Sequence, residues 1–191
     1  MQLYPGRHFH LFNRSNNNEV VFKERESFPY FLRKYQKYLG DLLDTVAYCL
    51  MPTHFHFLIH IRNFEGNGVE LEQHMREVKD RIGILLSSYT KAINRRFHRH
   101  GSLFQHHTKA KEIVTDSLLP IVSYIHRNPV RARLVRRPEE WEFSSYRDYI
   151  GVRSDSFVWK EPLMAEVGTV QEFKRISAEL GLVRDNLMDS I

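Results

Sequence analysis

The chain has 191 residues, 42% of them hydrophobic, and a single cysteine, Cys49, which excludes both a disordered chain and an internally disulfide-bonded scaffold. The formal net charge is +5 and the sequence pI about 9.3, an excess that is compatible with nucleic acid without requiring it. No apolar run approaches the roughly 18–20 residues needed to span a bilayer, and the opening MQLYPGRHFH lacks the basic-then-apolar plan of a signal peptide, so a soluble cytoplasmic protein with no membrane partner is expected.

Residues 7–13 (RHFHLFN) alternate as a strand and run into an Asn-rich turn. Ser27, with Pro29 just inside, opens a helix that Gly40 ends, and Phe28, Phe31, Leu32, Tyr35 and Leu39 share one of its faces. Residues 44–49 and 50–60 form two strands turned at Pro52, an antiparallel hairpin. A polar loop leads to a long helix over 70–97, with Val78, Ile82, Leu85, Leu86, Tyr89 and Ile93 as its apolar stripe. Residues 102–114 read as a fourth strand. A helix over 118–128 follows, with Pro120 in its first turn and Pro129 marking its end. Beyond it come a turn, a short helix and an amphipathic segment near 170–180.

The order is strand, helix, strand, strand, helix, strand, helix. It predicts an α+β fold, a ferredoxin-like βαββαβ sandwich with an antiparallel sheet and helices on one face. Residues 1–150 would form the domain, and 151–191 an extension to which no role is assigned.

Within the hairpin, His54 and His56 interrupt an apolar run, LMPTHFHFLIH. Positions i and i+2 of a strand point to the same side, about 6.5–7 Å apart. His54 and His56 therefore share a face with Leu58 and His60, while Phe55, Phe57 and Ile59 take the other. Two neutral imidazoles so placed can converge on one metal ion, with further ligands from elsewhere. Taken alone, such a pair more often decorates a solvent-facing strand, and His8/His10 and His98/His100 repeat the spacing without obvious purpose.

Tyr124 and Asn128 lie four apart on the helix over 118–128, so a hydroxyl and an amide project from one face. Leu118, Ile121, Val122 and Ile125 supply the face that docks this helix on the body. Positive charge is also clustered. Residues 95–111 carry five Lys or Arg and four His with no acid, and 127–137 carry five Arg with no acid.

Together, MPTHFHFL and YIHRNPVRA resemble the single-tyrosine HUH transposases of bacterial insertion sequences, the second motif being most like REP-associated tyrosine transposases. HLFNR, RRFHRHGSLFQ and RRPEEWEFSSY add to the resemblance, which covers about residues 8–150. It implies a ferredoxin-like fold, His54 and His56 as metal ligands with Phe55 between them, Tyr124 as nucleophile and Asn128 as third ligand. Thr53 departs from relatives, which usually carry Asn or Asp before the first histidine.

The implied activity is cleavage and rejoining of hairpin-containing single-stranded DNA through a covalent 5′-phosphotyrosine, releasing a 3′ hydroxyl. The site lacks a thiolate or third histidine, so Mg²⁺ or Mn²⁺ is expected rather than Zn²⁺. Arg95, Arg96, Arg99, Lys109, Lys111, Arg131 and Arg133 would meet DNA phosphates, with Arg136 and Arg137 flanking the cleft. A homodimer in the bacterial cytoplasm, associated with the nucleoid, is also implied, with Tyr124 acting in cis or in trans. The competing expectation is a non-catalytic nucleic-acid-binding module of the same fold, which the absence of an aromatic RNA-binding signature disfavours.

Overall fold

The computed structural model describes residues 1–183, in which four strands form: β1 (His8–Arg14), β2 (Leu43–Met51), β3 (His54–Ile61) and β4 (Lys109–Glu112). They make one antiparallel sheet in the order β2-β3-β1-β4, the ferredoxin-like arrangement expected from the element order. The register sets Phe12 opposite His56 and Arg14 opposite His54 on one side of β3, and Cys49 opposite His56 on the other.

One face of the sheet is covered by α1 (Ser27–Leu39) and α2 (Gly68–Arg96), whose apolar stripes follow the predicted period. The layer between is aromatic. Tyr35 stacks on Phe57 at 4.2 Å between ring centroids, Phe31 lies 5.4 Å from Phe55, and Tyr89 meets Phe31 edge-on at 5.0 Å. Each fully buried ring of this kind stabilises the fold by roughly 1.5–3 kcal/mol through removal of apolar surface from water.

The second face is covered as well, which corrects the expectation of helices on one side only. Helix α3 (Leu119–Arg131) packs across β2 and β3 through buried Ile121, Val122 and Ile125, and α6 (Val170–Val183) packs behind it. The physical reason lies in β2 and β3 themselves. Ala47, Cys49 and Leu58 are fully buried on the histidine side, so neither face of these strands could be left to solvent.

Helix α3 also runs past Pro129 to Arg131 instead of stopping before it. Proline cannot donate to the carbonyl of Ile125, and the Asn128 side chain substitutes: its Nδ2 donates to the carbonyls of Tyr124 at 3.0 Å and Ile125 at 3.4 Å. The helix ends where Arg133 adopts a left-handed φ of 56°.

The fourth strand is much shorter than residues 102–114. Leu103 and Phe104 are buried as a plug joined to the end of β1, with Asn16 N donating to Leu103 O at 3.0 Å and Gln105 N to Arg14 O at 2.9 Å. The chain then leaves the sheet, because Asn13 spends its amide on it: Nδ2 donates to Gln105 O at 3.1 Å and Thr108 Oγ1 at 2.9 Å. Ladder pairing resumes only at Lys109. This edge is short and charged (KAKE), which discourages pairing with another chain.

The other edge, β2, is capped by residues 141–159. Leu50 N donates to Phe143 O, Ser145 N to Tyr48 O and Trp159 N to Thr45 O, at 2.9, 3.0 and 2.7 Å. A single turn α4 (Tyr146–Tyr149), α5 (Glu161–Val167) and α6 complete the described chain, and Val158, Leu163 and Phe173 are buried in the same core as the sheet. Residues 184–191 of the predicted extension lie outside the described residues. No described helix is long and apolar enough to cross a membrane.

Candidate active site

The histidine strand and the tyrosine helix meet across a cavity of about 260 Å³. His54 and His56 form one wall, Tyr124 and Asn128 another, and Gln105, His107 and Lys109 close the rim where the chain leaves and rejoins the sheet. The rings of Tyr124 and His56 are 5.9 Å apart and nearly perpendicular.

Both histidines are held by one nitrogen. His56 Nδ1 is 2.9 Å from Nε2 of His10, and His54 Nδ1 is 3.0 Å from the hydroxyl of Thr53. In the tautomers in which His10 and Thr53 accept, each Nδ1 carries the proton and each Nε2 keeps its lone pair for a ligand. Burial pushes both imidazoles down, His54 to about 4 with help from Arg14, and His56 well below the ordinary range with help from His10, His54 and Arg131. At neutral pH no proton competes for those lone pairs.

On the helix side, Asn128 has its Nδ2 committed to backbone carbonyls, so its Oδ1 is the atom left for the cavity. Asn128 thus repairs the proline defect in α3 and leaves an acceptor oxygen for the cavity that the histidines also line. Two imidazole nitrogens and one amide oxygen are a donor set for a divalent cation with positions left open for phosphate and water. Among the described residues no three His, Cys, Asp or Glu side chains cluster to hold a metal, so the amide is what makes up a third donor here.

The predicted DNA-facing cations are dispersed. Lys109 lies on the cavity rim, 5.8 Å above the Phe12 ring. Arg131, seven residues after Tyr124 and on the same helix face, holds its guanidinium 5.2 Å over the tyrosine ring. Lys111 stands close enough to His10 to help burial depress that imidazole to about 4. Arg95 and Arg133 are exposed. Arg96 and Arg99, by contrast, are taken up by acids of the 15–24 loop: Arg96 reaches Glu24 at 2.6 Å and Arg99 reaches Glu19 at 2.7 Å. The acid-free run in the sequence is partly neutralised in space.

His10, which the sequence offers only as half of a second His-x-His pair, belongs to the surroundings of the site. It is 1% exposed, bonded to His56 and edge-on to Tyr124 at 6.0 Å. Its signal was present, since β1 must pair with β3 in this fold and His10 then falls one step diagonally from His56 on the same face. Asn13 and Thr53 were likewise unassigned.

No family model matches the sequence, and no curated protein matches it. Among solved structures, the chain is similar to a REP-associated tyrosine transposase bound to a REP hairpin. The two share 17% identity with a TM-score of 0.57, over 83% of this chain and 91% of that one. The likeness extends the α+β fold to nearly the whole of that protein.

Proposed function

We propose that this chain is a DNA-cleaving and rejoining enzyme of the transposase type, acting on hairpin-containing single-stranded DNA through Tyr124. The observation that carries the reading is the convergence of Tyr124, Asn128, His54 and His56 on one cavity, with three ligand atoms left unengaged by any described residue. The neighbouring fold, solved with a hairpin bound, supports it.

In this reading His54 Nε2, His56 Nε2 and Asn128 Oδ1 would hold Mg²⁺ or Mn²⁺, which would supply Lewis-acid polarisation of a nonbridging phosphate oxygen. The Tyr124 hydroxyl gives up its proton to solvent as its oxygen forms a bond to phosphorus, while the bond from phosphorus to the 3′ oxygen breaks. The departing oxygen takes a proton to become a 3′ hydroxyl, and the 5′ phosphate stays on the tyrosine for reversal onto another 3′ end. Arg131 places positive charge beside the ring as charge builds on the phosphoryl group, and Lys109 faces the incoming strand at the rim. The nucleophile and the metal ligands line one cavity of a single chain, so we propose action in cis; a homodimer needs no exchange of the tyrosine helix.

The test is an adduct assay with hairpin oligonucleotides taken from DNA flanking the gene. A denaturation-resistant protein–DNA adduct is expected with Mg²⁺ or Mn²⁺, absent with EDTA and absent in Tyr124→Phe. An adduct that persists in Tyr124→Phe removes the nucleophile from this scheme; salt-sensitive binding with no adduct under any metal condition leaves a non-catalytic DNA-binding module. Mixing Tyr124→Phe with His56→Ala protein should restore no cleavage, whereas restored cleavage would place the tyrosine in trans.

A further inference from the structure

A second concave surface lies on the other flank of α3. It is a basin of about 360 Å³ bounded by α3, the 3₁₀ turn Pro138–Glu140, α4 and α6. Its floor carries no charge: the hydroxyls of Ser123 and Ser177 meet at 3.3 Å, and both residues are buried. Four cations, Arg127, Arg136, Arg137 and Lys174, stand around it against a single acid, Glu139.

The charges are not evenly compensated. Arg137 is neutralised, 3.1 Å from Glu140 and 3.6 Å from Glu139. Arg127, Arg136 and Lys174 form no ion pair with any described residue. Three uncompensated cations on one concave surface repel one another, and their combined field favours an anion between them.

Position along α3 narrows the anion. Arg127 follows Tyr124 by three residues, which on an α-helix is about 4.5 Å along the axis and about 60° around it. A strand whose scissile phosphate sits at Tyr124 and that continues over α3 past Arg127 would enter the basin. The floor of serine hydroxyls offers hydrogen-bonding groups and the buried Tyr146 ring offers little stacking surface, so the basin suits a sugar-phosphate more than a base. We infer that this basin binds a backbone phosphate of the same DNA strand, a short distance from the bond that is cut. The inference rests on the DNA-cleaving function proposed above and adds a second anchoring point that sets which flank of the hairpin is presented to Tyr124.

The test measures binding without cleavage, using Tyr124→Phe protein in EDTA and a hairpin oligonucleotide with single-stranded flanks. Each flank phosphate is replaced in turn by a neutral methylphosphonate. One position, or two adjacent ones, should weaken binding by about tenfold, the scale of a charge-assisted hydrogen bond. The same replacement should have no effect in protein that also carries Arg127→Gln and Arg136→Gln. The slope of log K against log salt should be shallower in that variant by about 0.7 for each single-strand phosphate that the protein no longer neutralises.

Equal melting temperatures establish that the variant is folded. If it is not, Lys174→Gln, on an exposed side chain, takes its place. Equal sensitivity of both proteins at every position, or an unchanged salt slope, overturns the basin while leaving cleavage at Tyr124 standing. Failure of the hairpin to bind either protein, together with no adduct in the wild type, overturns the DNA reading and the basin with it.

Discussion

Strands β1 and β3 carry two groups of histidines on the same face, and the two ends of that face differ in what covers them. At one end His54 and His56 line a cavity shared with Tyr124 and Asn128, and His10 is buried against His56. At the other, His8 sits directly opposite His60 with ring centroids 4.9 Å apart. There the Trp159 ring lies 5.2 Å from His60, and Asp44, already bound to Arg62 at 2.7 Å, is 3.5 Å from His60 Nδ1. Residue type and strand spacing are nearly the same at the two ends. What separates them is the covering element, a helix bearing a hydroxyl and an amide at one end and an indole with an ion pair at the other. A histidine pair becomes a candidate metal site only where the opposite wall leaves room and supplies a third donor.

The sharpest way to break this comparison is to remove one histidine from each end. His56→Ala should lower the rate of adduct formation by about 10³-fold or more, the scale of losing several kcal/mol of metal-assisted stabilisation. His60→Ala should leave it within about threefold in the same assay. Equal losses would mean that the two ends are not functionally distinct.

A smaller effect is expected one layer out. His10→Phe keeps the ring volume but removes the acceptor that holds His56, and should weaken Mn²⁺ binding, read by electron paramagnetic resonance, by about 10–100-fold. His8→Phe, the matching change at the closed end, should leave Mn²⁺ affinity unchanged. Weaker still should be Thr53→Ala, a loss of only about fivefold in Mn²⁺ affinity, because a neutral hydroxyl hydrogen bond is worth roughly 1 kcal/mol.

The buried imidazoles also give the metal-free protein a pH dependence with a definite sign. Burial lowers His10 to about 4 and His126, bonded to Ser145 at 2.7 Å, to about 3. The unfolded chain binds protons at a pKa near 6.5, so it takes them up before the folded chain does. Stability from these groups is complete above that value and is lost as pH falls from about 6.5 through 4 for His10 and on to about 3 for His126. Thermal melts in EDTA should show the melting temperature falling between pH 7 and pH 5. A flat profile over that range would contradict the buried, neutral state of these histidines.

Much of the fold is legible in short-range pattern. The period of α1 and α2, the hairpin at Pro52 and the strand-helix order depend on residues close in sequence, and they appear as expected. The misreadings have a common cause. The end of α3 depended on Asn128 repairing what Pro129 breaks, and the length of β4 on Asn13 bonding residues 105 and 108. In both places a single side-chain amide overrides a backbone tendency. The cover on the second sheet face was concealed because His54, His56 and His60 make β3 look half polar, although Leu58 among them and Cys49 beside His56 on β2 are fully buried.

By itself the sequence determined which side chains share a face, because i,i+2 in a strand and i,i+4 in a helix are set by local geometry alone. That sufficed to pair His54 with His56 and Tyr124 with Asn128. Only the tertiary structure decided that the two pairs line one cavity, that His10 steadies His56, and that Arg96 and Arg99 are occupied by Glu24 and Glu19. Those partners are brought together by sheet order and helix docking, and separation along the chain carries no measure of that distance.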